Sequence, residues 1–178
     1  SFNTFRLATI TGFIKADSTL VDGVMSGNVT FPNIMKQPVF TSDLTINNLS
    51  MRQDTLGDVR AQVSSNGSRY NTNIALTGHG NDADITGSFA PAGNDVDLDL
   101  NLNVRALQLH TLEGAMASAI TNASGSINGN VKIAGKASKP AINGDLNFNN
   151  ASFAITALGS QFKVDNEKIS VTNDGLVF

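Results

Sequence analysis

The chain of 178 residues contains no cysteine, no tryptophan and one tyrosine. Without cysteine there are no disulfides and no thiolate metal sites, and that absence alone assigns no compartment. Charge is scarce too: 15% of residues are charged and the formal net charge is −3. Such a surface has no basic footprint for nucleic acid or for an anionic membrane, so nucleic acid is not expected as a partner. No run of about 20 apolar residues occurs, and the most apolar small-residue stretch, residues 114–120, is far too short to span a bilayer. Ser1 leads directly into mixed polar and apolar sequence, and residues 175–178 break off inside an apolar run. Any signal peptide is therefore expected outside this sequence, and both ends read as cut from a longer protein.

What the chain does have is asparagine, 21 residues of it, and 13 of its 15 acidic residues are aspartate. Both types disfavour helix and favour turns and strand ends. The clearest local signal is residues 95–104, Asp-Val-Asp-Leu-Asp-Leu-Asn-Leu-Asn-Val, which place Val96, Leu98, Leu100, Leu102 and Val104 on one strand face and only Asp and Asn on the other. The same period returns at 28–31, 43–51, 73–77, 83–89, 130–134, 142–148, 152–156, 161–165 and 168–172. Breakers such as Asn66-Gly67, Gly78-His79-Gly80, Pro91-Ala92-Gly93 and Asn143-Gly144 separate these segments. An all-β antiparallel meander follows, with one dry and one wet face. A short amphipathic helix near 111–121, with Leu112, Met116 and Ile120 at four-residue spacing, is expected to cap the sheet.

No catalytic or cofactor motif is present. There is no Gly-x-Ser-x-Gly elbow, His-Glu-x-x-His pair, phosphate loop or dinucleotide fingerprint. Asp95, Asp97 and Asp99 match the start of a calcium loop, but the sixth position is Leu100 and the twelfth Ala106, and strand alternation already accounts for the run. His79 and His110 lack a third ligand or a cysteine partner and read as surface residues. Gly125-Ser126-Ile127-Asn128-Gly129 opens a strand, so its glycines serve bends rather than phosphate. Five Asn-x-Ser/Thr triplets, at Asn28, Asn48, Asn66, Asn122 and Asn150, are attributed to asparagine abundance and turn chemistry. Neither enzyme activity, cofactor nor metal is expected.

Residues 23–57 recur without a gap as 125–159, with twelve identities in 35 positions, among them Gly23/Gly125, Gly27/Gly129, Leu44/Leu146, Asn48/Asn150 and Gly57/Gly159. A repeat that keeps turn residues and alternation while its charges drift indicates a scaffold, one β-groove segment over 1–178. The second copy, with Gly125, Gly129, Val131, Ile133 and Gly135, then Lys139-Pro140, Ile142, Gly144, Leu146, Phe148 and Asn150-Ala151, resembles a repeat of the TamB and AsmA-like envelope proteins. Its continuation, Leu158-Gly159, Phe162, Val164, residues 168–171 and residues 173–178, is similar to the carboxy-terminal domain of Bacteroidetes-type TamB members.

That resemblance implies a long curved sheet folded into an open U-shaped trough with an apolar interior. It further implies a periplasmic protein of a Gram-negative bacterium, anchored in the inner membrane by a segment absent here and reaching an outer-membrane barrel of the BamA superfamily, TamA-like. The cargo would be phospholipid acyl chains, or alternatively nascent outer-membrane proteins handled by β-strand pairing. Candidate groove residues are Ile74, Leu76, Ile85, Phe89, Val96, Leu98, Leu100, Leu102, Val104, Val131, Ile133, Leu146, Phe148, Phe153 and Ile155. Two competing readings are a docking module that pairs its edge strands near 2–14 and 169–178 with a partner, and a glycan-binding sandwich, which the lack of aromatic platforms opposes.

Overall fold

Alternation of this kind cannot sit still as a helix, and the computed structural model, which describes residues 2–8, 21–33, 39–52, 54–116, 119–173 and 175–177, is nearly all strand. The strands are β1 (Phe2–Arg6), β2 (Val21–Asn33), β3 (Val39–Met51), β4 (Asp54–Asn66), β5 (Arg69–Gly78), β6 (Asn81–Ala92), β7 (Asp95–Gln108), β8 (Ile120–Lys136), β9 (Lys139–Ile155), β10 (Ser160–Val164), β11 (Glu167–Thr172) and β12 (Gly175–Val177). All pair antiparallel in one open sheet, in chain order. Two-residue connections join β4 to β5, β5 to β6, β6 to β7 and β8 to β9, which leaves consecutive strands no choice but to be neighbours. β10 and β11 both lie along β9: Val164 faces Ala151 and Glu167 faces Phe148, so the register runs through unbroken and the two behave as one strand interrupted at Asp165-Asn166. That gives eleven positions across the sheet, which does not close into a barrel.

The helix α1 covers Leu109–Ala115, shorter than the 111–121 stretch expected. Its pattern ends early because Ile120 and Thr121 take strand partners instead, facing Ile155 and Ala154 of β9. α1 packs on β8, β4 and β7 and meets Asn81 at the start of β6 through Thr111. Among the described residues, Leu109 joins Ala83, Val104, Ala123, Ile127, Phe148, Ala151, Val164 and Ile169 in a buried cluster, with Leu102, Leu107, Leu112, Ile120, Leu146 and Phe153 against it.

The two recurring segments fold into hairpins of the same register. Asp22 faces Ser50, Val24 faces Asn47 and Gly27 faces Leu44; 102 residues on, Ser124 faces Ser152, Ser126 faces Asn149 and Gly129 faces Leu146. Each has a bulge at its asparagine pair, where Asn48 (φ 52°) and Asn150 (φ 47°) adopt the left-handed conformation that asparagine tolerates best. The bulge flips the phase of alternation. Leu44 and Ile46 therefore share a face with Leu49 and Met51, and Leu146 and Phe148 share one with Ala151 and Phe153, as the Phe148–Phe153 ring contact at 6.5 Å shows.

The correspondence reaches further upstream than the sequence repeat. Phe2 faces Gly27, Phe5 faces Met25 and Arg6 faces Val24, while Val104 faces Gly129, Leu107 faces Ile127 and Gln108 faces Ser126. β1 is thus the counterpart of β7, irregularity included, and Leu7 begins a helical turn where Leu109 begins α1. In sequence, Leu7/Leu109, Thr9/Thr111, Gly12/Gly114 and Thr19/Thr121 are identical, although residues 9–20 lie outside those described. Downstream the equivalence stops. Gly57 (φ 132°) is inside β4, whereas Gly159 (φ 59°) closes the short 3₁₀ turn Thr156–Leu158, and β10 is an addition of the second copy. The Pro38/Pro140 identity cannot be compared, because Pro38 is outside the described residues.

Candidate functional site

Register carries one apolar row across the whole sheet: Phe5, Met25, Ile46, Val59, Leu76, Ala83, Val104, Gly129, Leu146, Ile169. The next row is Gly27, Leu44, Ala61, Ile74, Ile85, Leu102, Val131, Gly144, Val171, and the one beyond includes Val29, Val63, Leu100, Ile133 and Ile142. A final row is aromatic. Phe31, Phe40, Tyr70 and Phe89 form a ladder with centroids 5.1–5.8 Å apart, and small Ser65 of β4, whose Oγ accepts a hydrogen bond from Phe40 N–H at 2.7 Å, lets Phe40 reach Tyr70.

All fifteen residues named from the sequence lie on this face. Twelve are half-buried; Val104, Val131 and Phe148 are buried, and Val104 and Phe148 belong to the cluster under α1, where they act as core. The half-burial decides the character of the face. Leu100 and Ile133 are half-buried in the middle of the sheet, flanked by strands on both sides, and among the described residues every strand belongs to that one sheet, so no second sheet covers them; Leu102 beside them packs against the buried cluster. From β2 to β9 the face is about 34 Å wide, and three rows of it have a footprint on the order of 700 Å². Sequence reasoning missed Met25, Val29, Leu44 and Ile46 of the first copy, although their alignment with Ile127, Val131, Leu146 and Phe148 was the available signal, and Val63, which lies outside the repeat.

Glycines let the face form. Gly129 (φ 148°) lies under Leu146 and Gly87 (φ 141°) under Leu100, and a Cβ at either would overlap a backbone carbonyl oxygen of the neighbouring strand.

The opposite face is polar and laced by cross-strand ion pairs: Arg60–Asp43, Arg105 with Asp82 and Asp84, Lys132–Asp99 at 3.2 Å, Lys136–Asp97 at 2.8 Å and Lys168–Asp145 at 2.9 Å. The 95–99 aspartates thus face lysines of β8, and Asp95 accepts from Ser138. A shallow depression of about 470 Å³ on this side is lined by Asn28, Thr41, Asp43, Gln62, Ser64, Asn71 and Asn73 among others. His79 is exposed in the β5–β6 turn and His110 is exposed on α1.

Hydrogen bonds from basic partners hold several carboxyls below their ordinary range. Asp22 falls to about 2, first through Arg6 and then through the Gly23 N–H; Asp43 is lowered by Arg60, Asp82 by Arg105 and Asp145 by Lys168. A depressed carboxyl contributes stability present above its unfolded value, near 3.9, and lost as pH falls through the folded one. Melting temperature should therefore be flat above about pH 5 and decline between about 4 and 2, with 1 M salt shrinking the decline because these pairs are exposed. A melt series by circular dichroism checks it.

The fold and this face define an open β-scaffold, a protein that presents a surface rather than a pocket. Comparison with known families matches residues 1–148 to TamB, N-terminal domain. The chain belongs to the TamB family. The matched domain is N-terminal, not the carboxy-terminal one expected from residues 125–178, whose last thirty residues fall outside it. No curated protein and no solved structure matches the chain.

Proposed function

We propose that this segment is a non-enzymatic part of a TamB-like envelope protein, shielding phospholipid acyl chains on its apolar face as they cross the periplasm between inner and outer membrane. The carrying observation is the apolar face around Leu100 and Ile133, half-buried in mid-sheet. Each methylene taken up is worth about 0.8 kcal/mol, so one acyl chain supplies on the order of 10 kcal/mol, enough to offset removal from a bilayer with no charged site. A uniform stripe also permits sliding, and binding of this kind needs no motif. The inner-membrane anchor, the TamA-like barrel partner and the Bacteroidetes-type affiliation belong to this reading through the family resemblance alone.

Photocrosslinking in cells from Leu100 and Leu146, with outward-facing Asp99 as control, tests the reading. Phospholipid adducts at both leucines and none at Asp99 are expected. Polypeptide adducts would instead favour the handling of nascent outer-membrane chains, and absence of any adduct would make both leucines ordinary core.

A further inference from the structure

We infer that α1 is a lid over part of the apolar face, held by a small polar latch, and that apolar cargo reaches the stretch beneath it only when the latch opens. This rests on the conduit reading above and adds regulation to it. The row that is half-buried at Leu76 becomes buried at Ala83 and Val104, where Leu109 and Leu112 of α1 join a cluster with Ile127 and Phe148. The face is the same; only the cover differs.

What holds the cover is polar and local. Asn81, 3% exposed, donates from Nδ2 to the Leu56 carbonyl at 2.7 Å and to Thr111 Oγ1 at 3.4 Å, and its Oδ1 accepts from the Gln108 N–H at 2.8 Å. Thr111, fully buried, donates to the Gln108 carbonyl at 2.7 Å. At the far end of the helix the Glu113 carboxylate accepts from the Ala123 N–H, and Gly114 lets the helix touch the Met51 backbone, since a Cβ there would overlap the Met51 carbonyl oxygen. These bonds join α1 to β4, β6 and β8 at its two ends. No strand of the sheet depends on α1 for its pairing, so α1 can leave without unpairing the sheet. The sequence identities Leu7/Leu109, Thr9/Thr111 and Gly12/Gly114 fall on the core, latch and contact residues of this helix.

The test uses the full-length protein in cells with a diazirine-phenylalanine at Phe89, on the open face, or at Phe148, in the buried cluster that Leu109 of the helix joins. Two backgrounds open the latch from opposite ends: Thr111→Val, which removes the hydroxyl, and Glu113→Ala, which frees the Ala123 end. In the parent protein phospholipid adducts should form at Phe89 and be at least fivefold weaker at Phe148; in either variant Phe148 should rise toward the Phe89 level. Equal labelling of Phe148 and Phe89 in the parent would overturn the lid, as would Phe148 staying dark in both variants while Phe89 labels normally. Retained labelling at Phe89 also certifies that a variant is folded. Phe89 dark in every protein would mean the conduit reading fails, and the lid falls with it.

Discussion

Leu100→Asp should leave the protein folded and stop lipid from crossing the face. In a closed core, an unpaired carboxylate at a central leucine would cost several kcal/mol and unfold a marginal domain. Here Leu100 is half-buried, flanked by Gly87 and Ile133, and its outer surface meets no second layer. The carboxylate stays hydrated, so the expected loss of stability is below about 1.5 kcal/mol. Cargo feels it differently. A charge met by hydrocarbon costs about 2.5–3.5 kcal/mol, so acyl occupancy at that row should fall on the order of 100-fold. Urea melts and crosslinking from the neighbouring Ile133 read the two effects separately. Near-normal stability with lost lipid adducts supports the proposed conduit; collapse of the fold would mean that the face is packed against something.

Gly129→Ala should be among the most damaging single-methyl changes in the protein. Gly129 has φ 148° and lies against Leu146, with the Asp145 carbonyl oxygen where a Cβ would go. Backbone strain of about 1–3 kcal/mol adds to the displacement of the strand pair at the hydrophobic row, for an expected loss of about 3 kcal/mol or more. Gly93, in the β6–β7 turn at φ 67°, has nothing within 4 Å of the same position. Gly93→Ala carries only the conformational penalty, about 1 kcal/mol. Urea midpoints of the two variants should differ accordingly, and equal midpoints would refute the claim that close strand approach at Gly129 is what the sheet depends on.

The contrast between such positions explains what could be read from the sequence. Residues 95–104 alternate without interruption, and β7 runs through all of them with its leucines on the apolar face, because a period of two leaves a strand only one way to sort its side chains. The phase flips at Asn47-Asn48 and Asn149-Asn150 were hidden, since a bulge changes which residues share a face without changing composition. The helix end was misplaced because Ile120 satisfies a four-residue apolar spacing and a strand pairing equally well, and only the partner Ile155 decides between them. The upstream extension of the repeat is faint in sequence because its identities, Leu7/Leu109, Thr9/Thr111, Gly12/Gly114 and Thr19/Thr121, are scattered, while the paired positions Phe2/Val104 and Phe5/Leu107 change identity and only register aligns them. As for the face itself, alternation announced that it is dry, but whether a second layer covers it depends on what packs there, and no residue pattern within one strand encodes that.

The matching hairpins have a consequence for size. Following one row from Met25 to Gly129, the second copy is entered two residues further along its own count than the first. The six-strand interval from β2 to β8 therefore lengthens the sheet by about 29 Å and offsets it by about 7 Å along the strands. In a sheet extended by such an interval, reach grows in whole units while the apolar row continues across the join.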